Sequence, residues 1–423
     1  MSEHVDITIR PGEHLLSVGI GRKDVLTYDR TGRPITIFLG GRTYKRGLDN
    51  NVLMIMGERS EGGKVRRRRT LGPNEKAALF RRAREIMTTV RERLETGDTT
   101  VIVPGLEERQ AVERVEQWLA LVTSMGPEDL AGDRDRFLST YRPIGILPPD
   151  QYLSVVLQGT EGCSYNRCTF CRFYRGIEFR IKSPDEFRDH IRSVKDLLGP
   201  AIGLRKTIFL ADANAMVIPR DRLIPMMEVI NEEFQIGTDA GRERGGPPRS
   251  TCRGSFRGIY SFIDSFSGPM KEAGEFAELR DLSIMRLYLG LESGHDPLLR
   301  FLDKPGMAAD AMKLVGRIKE AGIGVGVIVM AGIGGDRYEQ AHVWDTIELV
   351  SKMDMGRGDI LYVSDFVVHP ESEYRRRADL EGIHPLGRGE ILAQRTAITR
   401  SLKDDARRRG YKIAPYQIED FIY

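Results

Sequence analysis

Gly162-Cys163-Ser164-Tyr165-Asn166-Arg167-Cys168-Thr169-Phe170-Cys171 is the stretch on which the reading of this chain turns. It holds three of the four cysteines in 423 residues. Thiolates bunched this tightly bind a soft metal or a cluster more readily than they pair as a disulfide. Iron–sulfur clusters of the 4Fe-4S type usually take four cysteines. Three ligands therefore suit such a cluster with one iron left open, and an open iron can bind something that reacts. The competing reading is a structural zinc site with a histidine as fourth ligand. Zinc sites normally bring their ligands in two separated pairs. No second pair exists here, and Cys252 stands alone. Cys163, Cys168 and Cys171 are thus the expected metal ligands.

Working outward, the apolar run Tyr152–Leu157 just before the cysteines reads as a strand. A β-α alternation continues from it. Strands are expected at Thr207–Leu210, Gly258–Ile263, Met285–Leu291, Gly324–Met330 and Ile360–Val368. Helices are expected near Pro184–Leu198, Asp221–Phe234, Met270–Leu279, Pro297–Leu302, Ala309–Ala321 and Tyr338–Met353. Short strands alternating with helices predict a parallel sheet with right-handed crossovers. Six such units predict an α/β fold, a partial (β/α)6 TIM-like barrel. Sites on such barrels lie at the C-terminal ends of the strands, which is where the cysteines fall.

Three parts are expected: an N-terminal α+β domain over 1–150, the core over 151–370, and a C-terminal helical extension over 371–423. In the first, Asp29–Pro34 reads as a turn and Ile35–Leu39 as a strand. Asn74 is a candidate cap for a helix running to about Glu95, and Leu106–Val122 has the spacing of another. The run Lys64-Val65-Arg66-Arg67-Arg68-Arg69 admits RNA binding through Arg66–Arg69; a solvated hairpin edge or helix face is the plainer reading.

The composition is that of a globular protein, with 40% hydrophobic and 30% charged residues. A net charge of +3 on 64 basic and 61 acidic residues does not call for nucleic acid. No run of about eighteen apolar residues is present, so no membrane span is expected. The stretch Met1–Asp6 lacks the basic and apolar regions of a signal peptide. Few, clustered cysteines with no export signal point to a reducing cytoplasm.

The cysteine motif and its place after a strand resemble the radical S-adenosylmethionine (SAM) superfamily, over about residues 151–370. The usual spacing is three residues and then two. This chain has four and two, as in a CX4CX2C subgroup similar to oxygen-independent coproporphyrinogen dehydrogenase-like proteins. The resemblance implies a 4Fe-4S cluster and SAM as cofactors. It implies an enzyme that reductively cleaves SAM to a 5′-deoxyadenosyl radical and abstracts hydrogen from an organic substrate. The cofactor carries the hard chemistry; the protein supplies position and exclusion of water. An electron donor such as flavodoxin or ferredoxin and a small-molecule substrate are the implied partners.

Further residues follow from the same resemblance. Phe170, the aromatic before the last cysteine, packs near adenine in such enzymes. Asp212 or Asn214 stands where the family contacts the methionine amino group, although the usual Gly-Gly-Glu is absent. Asp264 ends the third strand as an acidic residue facing SAM. Glu292, in Gly290-Leu291-Glu292-Ser293, matches a Gly-x-Gln/Glu-Ser element and has SAM's ribose hydroxyls or amino group as its implied partner. A structural ion pair is the alternative for it. Lys304 falls where an arginine contacts the SAM carboxylate, with a solvated loop lysine as the alternative. Gly332, in Ala331-Gly332-Ile333-Gly334-Gly335-Asp336, lets backbone approach adenine, while the family's ribose-binding aspartate falls near Ile328. Ser364, Asp365 and His369 are candidate substrate contacts. Tyr260 and Tyr288 read as packing residues rather than radical relays.

With Cys252 the only spare cysteine, a second fully cysteine-ligated cluster is not expected. No Asp-x-His-x-x-Gly is present, so no usual cobalamin domain is expected. Two other functions remain open: a haem- or cluster-carrying chaperone on the same fold, and an RNA-modifying radical SAM enzyme.

Overall fold

Ser154–Gln158 and Thr207–Ala211 are buried at every position. Strands of that kind are stable only in a sheet covered on both faces, the hallmark of parallel α/β architecture. The computed structural model describes residues 6–60, 63–97, 100–101, 108–237, 256–266, 271–418 and 421–423. Cys252, Met270 and the start of the helix expected from Leu106 lie outside them, as do the side chains of Lys64–Arg66. The chain divides into two compact units. The first comprises Met1–Pro143, Ser193–Arg205 and Glu419–Tyr423; the second comprises Ile144–Arg192 and Lys206–Ile418.

The first unit is built on an eight-stranded sheet. Its strands are β1 (Ile7–Pro11), β2 (Leu15–Ile20), β3 (Asp24–Asp29), β4 (Pro34–Leu39), β5 (Arg42–Arg46), β6 (Val52–Ser60), β7 (Gly63–Thr70) and β8 (Thr100–Val101). The first seven form an antiparallel meander, and β8 adds to β1 in parallel. Helices α1 (Pro73–Glu95), α2 (Glu108–Ser124) and α3 (Pro127–Thr140) follow. Met87, Val115 and Leu119 pack with Ile9, Leu16, Val18 and Leu26 in one core. Alternation in the strands supplies the inward face, as expected for a sheet covered on one side. Gly72, not Asn74, is the N-cap of α1. Pro73 follows it, and the Glu75 carboxylate accepts from the Gly72 amide at 2.9 Å. Proline's fixed φ makes it a favoured first helical residue, which moves the start two positions upstream. The arginine run forms edge strand β7; Arg67 and Arg69 are exposed, and Arg69 pairs with Glu75 through both nitrogens at 2.7 and 2.6 Å.

The second unit carries seven parallel strands in chain order across the sheet. They are β9 (Ser154–Gln158), β12 (Thr207–Ala211), β13 (Ile259–Ile263), β14 (Ile284–Glu292), β15 (Gly324–Ala331), β16 (Ile360–Asp365) and β17 (Lys412–Tyr416). Two short strands, β10 (Thr160–Glu161) and β11 (Arg180–Ile181), pair as a clip. The helices are α4 (Pro184–Leu198, of which the part from Ser193 is counted in the first unit), α5 (Arg220–Glu233), α6 (Ala273–Asp281), α7 (Asp296–Phe301), α8 (Ala308–Glu320), α9 (Gly335–Lys352), α10 (Glu373–Leu380) and α11 (Arg388–Arg409). The stretch after residue 370, expected to be helical, supplies α10 and α11 and then a seventh strand. β17 is short and contains Pro415. Proline is tolerated there because the strand lies at the sheet edge.

The sheet is curled. In a flat sheet β16 would lie about 24 Å from β9, five strands away. Asp150, just ahead of β9, nonetheless accepts hydrogen bonds from Tyr288 of β14 at 2.6 Å and Tyr362 of β16 at 2.7 Å, and from Arg286 at 2.8 Å. Tyr416 of β17 reaches the Leu147 carbonyl at 2.6 Å. The 147–152 segment thus spans the gap between the first and last strands. The Tyr288 ring is fully buried against Phe209, Phe262 and Tyr260. Asp150→Ala leaves the Tyr288 and Tyr362 hydroxyls without their acceptor, each costing roughly 1–3 kcal/mol. A loss of about 2 kcal/mol or more is expected in urea unfolding.

Candidate functional site

The cysteines sit on the loop that leaves β9, at the C-terminal end of the sheet. The β10–β11 clip fastens the base of that loop. Glu161 accepts from Lys182 at 2.6 Å and from Arg180 at 3.0 and 3.1 Å. Gly162 then turns at φ 75°, and a Cβ there would meet the Ile177 and Glu178 carbonyls at 3.1 Å. Only glycine accepts that turn without strain.

Cys163, Cys168 and Cys171 are half-buried and unoxidised. The Asn166 amide donates to Cys163 Sγ at 3.3 Å, and Asn166 itself turns at φ 49°. Burial above all, with a smaller push from the neighbouring thiols, raises the Cys168 thiol to about 12 and the Cys171 thiol to about 11. Three thiols held in one low-dielectric patch gain most from a cation that takes them as thiolates. Among the described residues no three His, Cys, Asp or Glu side chains are drawn together tightly enough to hold a single metal ion. Cysteines that each take a different iron of a cluster need not converge on one point. The donor set, free thiols with an amide N–H directed at sulfur, fits a 4Fe-4S cluster.

Thr169 locks the loop onto the core. Its amide donates to the Leu302 carbonyl at 2.9 Å and its carbonyl accepts from Tyr374 at 3.1 Å. Phe170 packs against a cluster that includes Phe301, Met330, Phe366 and Tyr374. Tyr165 donates to Asp303 at 3.1 Å and stacks edge-on with Phe266 at 5.3 Å.

The other expected residues fall into separate groups around this loop. Asp212 directly follows β12, is buried, and accepts long contacts from Gln158 Nε2 and the Gly162 amide, both 3.4 Å. Asn214 turns toward β13: its Nδ2 donates to Asp264 at 3.0 Å and its Oδ1 caps Met216. Asp264 also accepts from the Phe266 amide at 3.0 Å.

Glu292 and Lys304 meet each other. Lys304 Nζ donates to Glu292 Oε1 at 2.9 Å and to the Gly290 carbonyl, with both side chains about nine-tenths buried. Lys304 is therefore no solvated loop lysine. A register shift in β14 between Gly290 and Glu292, with Glu292 at φ 65°, folds the carboxylate back over Gly290. A Cβ at 290 would sit 2.5 Å from that carboxylate. Bulges re-aim side chains beside active sites, and a non-glycine residue at positive φ is held there by its surroundings. Leu302 and Asp303, next to Lys304 in the chain, accept from Thr169 and Tyr165 of the cysteine loop at 2.9 and 3.1 Å, and both charges act on Cys168.

Gly332 differs from its expected use. Its amide donates to Gln394 at 2.7 Å, and a Cβ there would meet Ile391 at 2.7 Å. The close approach that its φ of 88° permits is made by α11 rather than left to a ligand. Asp365 pairs with Arg395, and His369 contacts Arg172 and accepts from the Glu371 amide. Ser364 is buried, and its hydroxyl has no hydrogen-bond partner. It shares the Tyr362 face of β16, which points into the barrel.

Sequence reasoning missed the Asp150 hub, the Thr169 lock and Arg175. Arg175 follows Cys171 by four residues and binds three carbonyls of the loop. Nothing in its local pattern marks it, because its partners are main-chain atoms.

Burial pushes the Asp212 carboxyl up to about 7, against about 3.9 in an unfolded chain. Between those values the folded protein keeps a proton that the unfolded chain has released. Stability therefore falls as pH rises from about 4 to about 7 and is level above that. Asp212→Asn removes this dependence. Urea unfolding is expected to show the variant roughly 2–4 kcal/mol more stable than the parent at pH 8, and equal to it near pH 4.

Residues 157–350 match the family model of the Radical SAM superfamily. That match covers a little under half of the chain, and the superfamily it describes comprises enzymes that use a 4Fe-4S cluster and SAM. Among solved structures it is similar to coproporphyrinogen III oxidase from Escherichia coli, a radical SAM enzyme. The identity is 15%, the match covers 64% of this chain and 56% of that one, and the TM-score is 0.43. It is also similar to methylornithine synthase, at 15% identity over 76% of this chain and 81% of that one, with a TM-score of 0.39. A radical SAM methyltransferase from Kitasatospora setae, solved with cobalamin and a 4Fe-4S cluster bound, matches at 15% identity. That match covers 54% of this chain and 37% of that one, with a TM-score of 0.36. The chain thus spans just over half the length of the Escherichia coli oxidase. No curated protein matches the chain. No helix of the described residues is long and apolar enough to cross a membrane.

Proposed function

We propose that the second unit binds a 4Fe-4S cluster through Cys163, Cys168 and Cys171, binds SAM beside it, and abstracts hydrogen from a small organic substrate. The observation that carries this reading is the three free thiols on one locked loop at the strand ends, with the Glu292–Lys304 pair beside them. When bound, the cluster and SAM supply reductive cleavage to a 5′-deoxyadenosyl radical.

The chain's own residues bind and orient. Lys304 has three donors, and two are engaged by Glu292 and the Gly290 carbonyl. One donor remains for a carboxylate. Glu292 keeps its second oxygen for an ammonium or a hydroxyl. An ordered cation–anion pair of this kind suits the zwitterionic methionine end of SAM. Asp212 and the linked Asn214–Asp264 pair supply acceptors on the neighbouring strand ends. Phe170 offers an apolar surface for adenine. Ser364 offers a buried hydroxyl to the substrate, because an unpaired buried hydroxyl gains most from a partner. A one-electron donor such as flavodoxin or ferredoxin is the partner the chemistry needs, and a reducing cytoplasm is the compartment that suits three clustered thiols.

The test is anaerobic reconstitution with iron and sulfide, followed by dithionite and SAM. Release of 5′-deoxyadenosine is expected by mass spectrometry. A cluster-loaded protein that leaves SAM intact contradicts the reading.

A further inference from the structure

Arg175 lies on the exposed flank of the cysteine loop. Its guanidinium donates to three main-chain carbonyls of that loop. Nη1 reaches Asn166 at 2.7 Å, Nη2 reaches Cys168 at 2.9 Å and Nε reaches Cys171 at 3.3 Å. Two of these carbonyls belong to cysteines. The third belongs to Asn166, in the four-residue spacer, and the Asn166 amide donates to Cys163 Sγ. The Asn166 side chain is fixed in turn by the Tyr174 carbonyl at 2.8 Å. One guanidinium is therefore linked to all three cysteines, two directly and one through a single residue.

We propose that Arg175 is a positioning residue for the cluster, holding the three cysteines in ligating order before iron arrives. The inference rests on reading this loop as a cluster site. The loop between β10 and β11 has no sheet or long helix to satisfy its carbonyls, so without a donor they would turn to water and the loop would sample many shapes. Arginine suits the task because its five donors form a rigid fork, whereas a lysine is a point charge on a flexible stem. The fork also draws the carbonyl dipoles toward itself and keeps a fixed positive charge near a group that is anionic when loaded. Charge and hydrogen bonding around the sulfurs set a cluster's potential.

The experiment compares the parent chain with Arg175→Gln and Arg175→Lys. Amide hydrogen exchange on the apo proteins reads the loop without any cofactor. Both variants are expected to exchange faster over residues 163–175 and at the parent rate elsewhere. Both are expected to take up iron and sulfide about 10–100-fold more weakly, the usual cost of losing an outer support of a metal site. Among loaded proteins, the Gln variant has a lower reduction potential than the parent, and the Lys variant, which keeps the charge, stays near it. Unchanged exchange and unchanged iron uptake in Arg175→Gln overturn the proposal. A parent protein that never takes up iron overturns the cluster reading instead, while the exchange result still decides whether Arg175 holds the loop.

Discussion

Replacing Cys168 with alanine is expected to reduce SAM cleavage to background and to prevent cluster assembly. Cys168 is the middle one of the three proposed ligands, and its position is fixed from two directions. Its carbonyl accepts from Arg175 and from the Cys171 amide at 3.2 Å. The next residue, Thr169, is pinned to Leu302 and Tyr374. Two thiols then remain for a cluster that already lacks one of its usual four. The fold should persist, because the thiol is half-buried and alanine leaves only a small void. Iron and sulfide per chain, absorbance near the cluster bands and 5′-deoxyadenosine release are the measurements. A Cys168→Ala protein that loads a full cluster and cleaves SAM at the parent rate contradicts the ligand assignment.

Removing one partner of the Glu292–Lys304 pair is the second large effect. Lys304→Ala leaves a buried carboxylate folded over Gly290 with no cation. Breaking a buried pair in this way costs about 3–5 kcal/mol, which urea unfolding can read. The double variant Glu292→Met with Lys304→Met separates structure from function. Replacing both charges with apolar groups of similar length is often neutral or stabilising. The double variant should therefore regain the lost stability, yet bind SAM weakly and cleave it slowly even with the cluster loaded. Recovery of both stability and cleavage would make the pair purely structural.

The sheet and the cysteine loop were legible in the sequence for a physical reason. Buried parallel strands need continuous apolar runs, and a cluster needs closely spaced thiols, so both leave local marks. Tyr152–Leu157, Thr207–Leu210 and Gly324–Met330 carry the first mark, and Cys163, Cys168 and Cys171 the second. The seventh strand was not legible, because an edge strand is free to contain proline and carries only a weak apolar signal. Glu292 and Lys304 were each recognisable as candidates. That they face each other depends on a register shift and a positive φ at Glu292, which spacing does not encode. Gly332 shows the same limit: a close approach to its backbone was expected, but the occupant, Ile391, comes from a helix nearly sixty residues on. Arg175 and Asp150 act through backbone carbonyls and through strands far apart in the chain, so no short pattern reveals them.

The most direct measurement is electron paramagnetic resonance of the reconstituted, dithionite-reduced protein with and without SAM. Three cysteines holding a cluster with an unfilled iron predict a reduced 4Fe-4S signal that shifts when SAM is added and disappears in Cys168→Ala. A spectrum that SAM leaves unchanged, or protein that carries zinc and gives no cluster signal, contradicts the account.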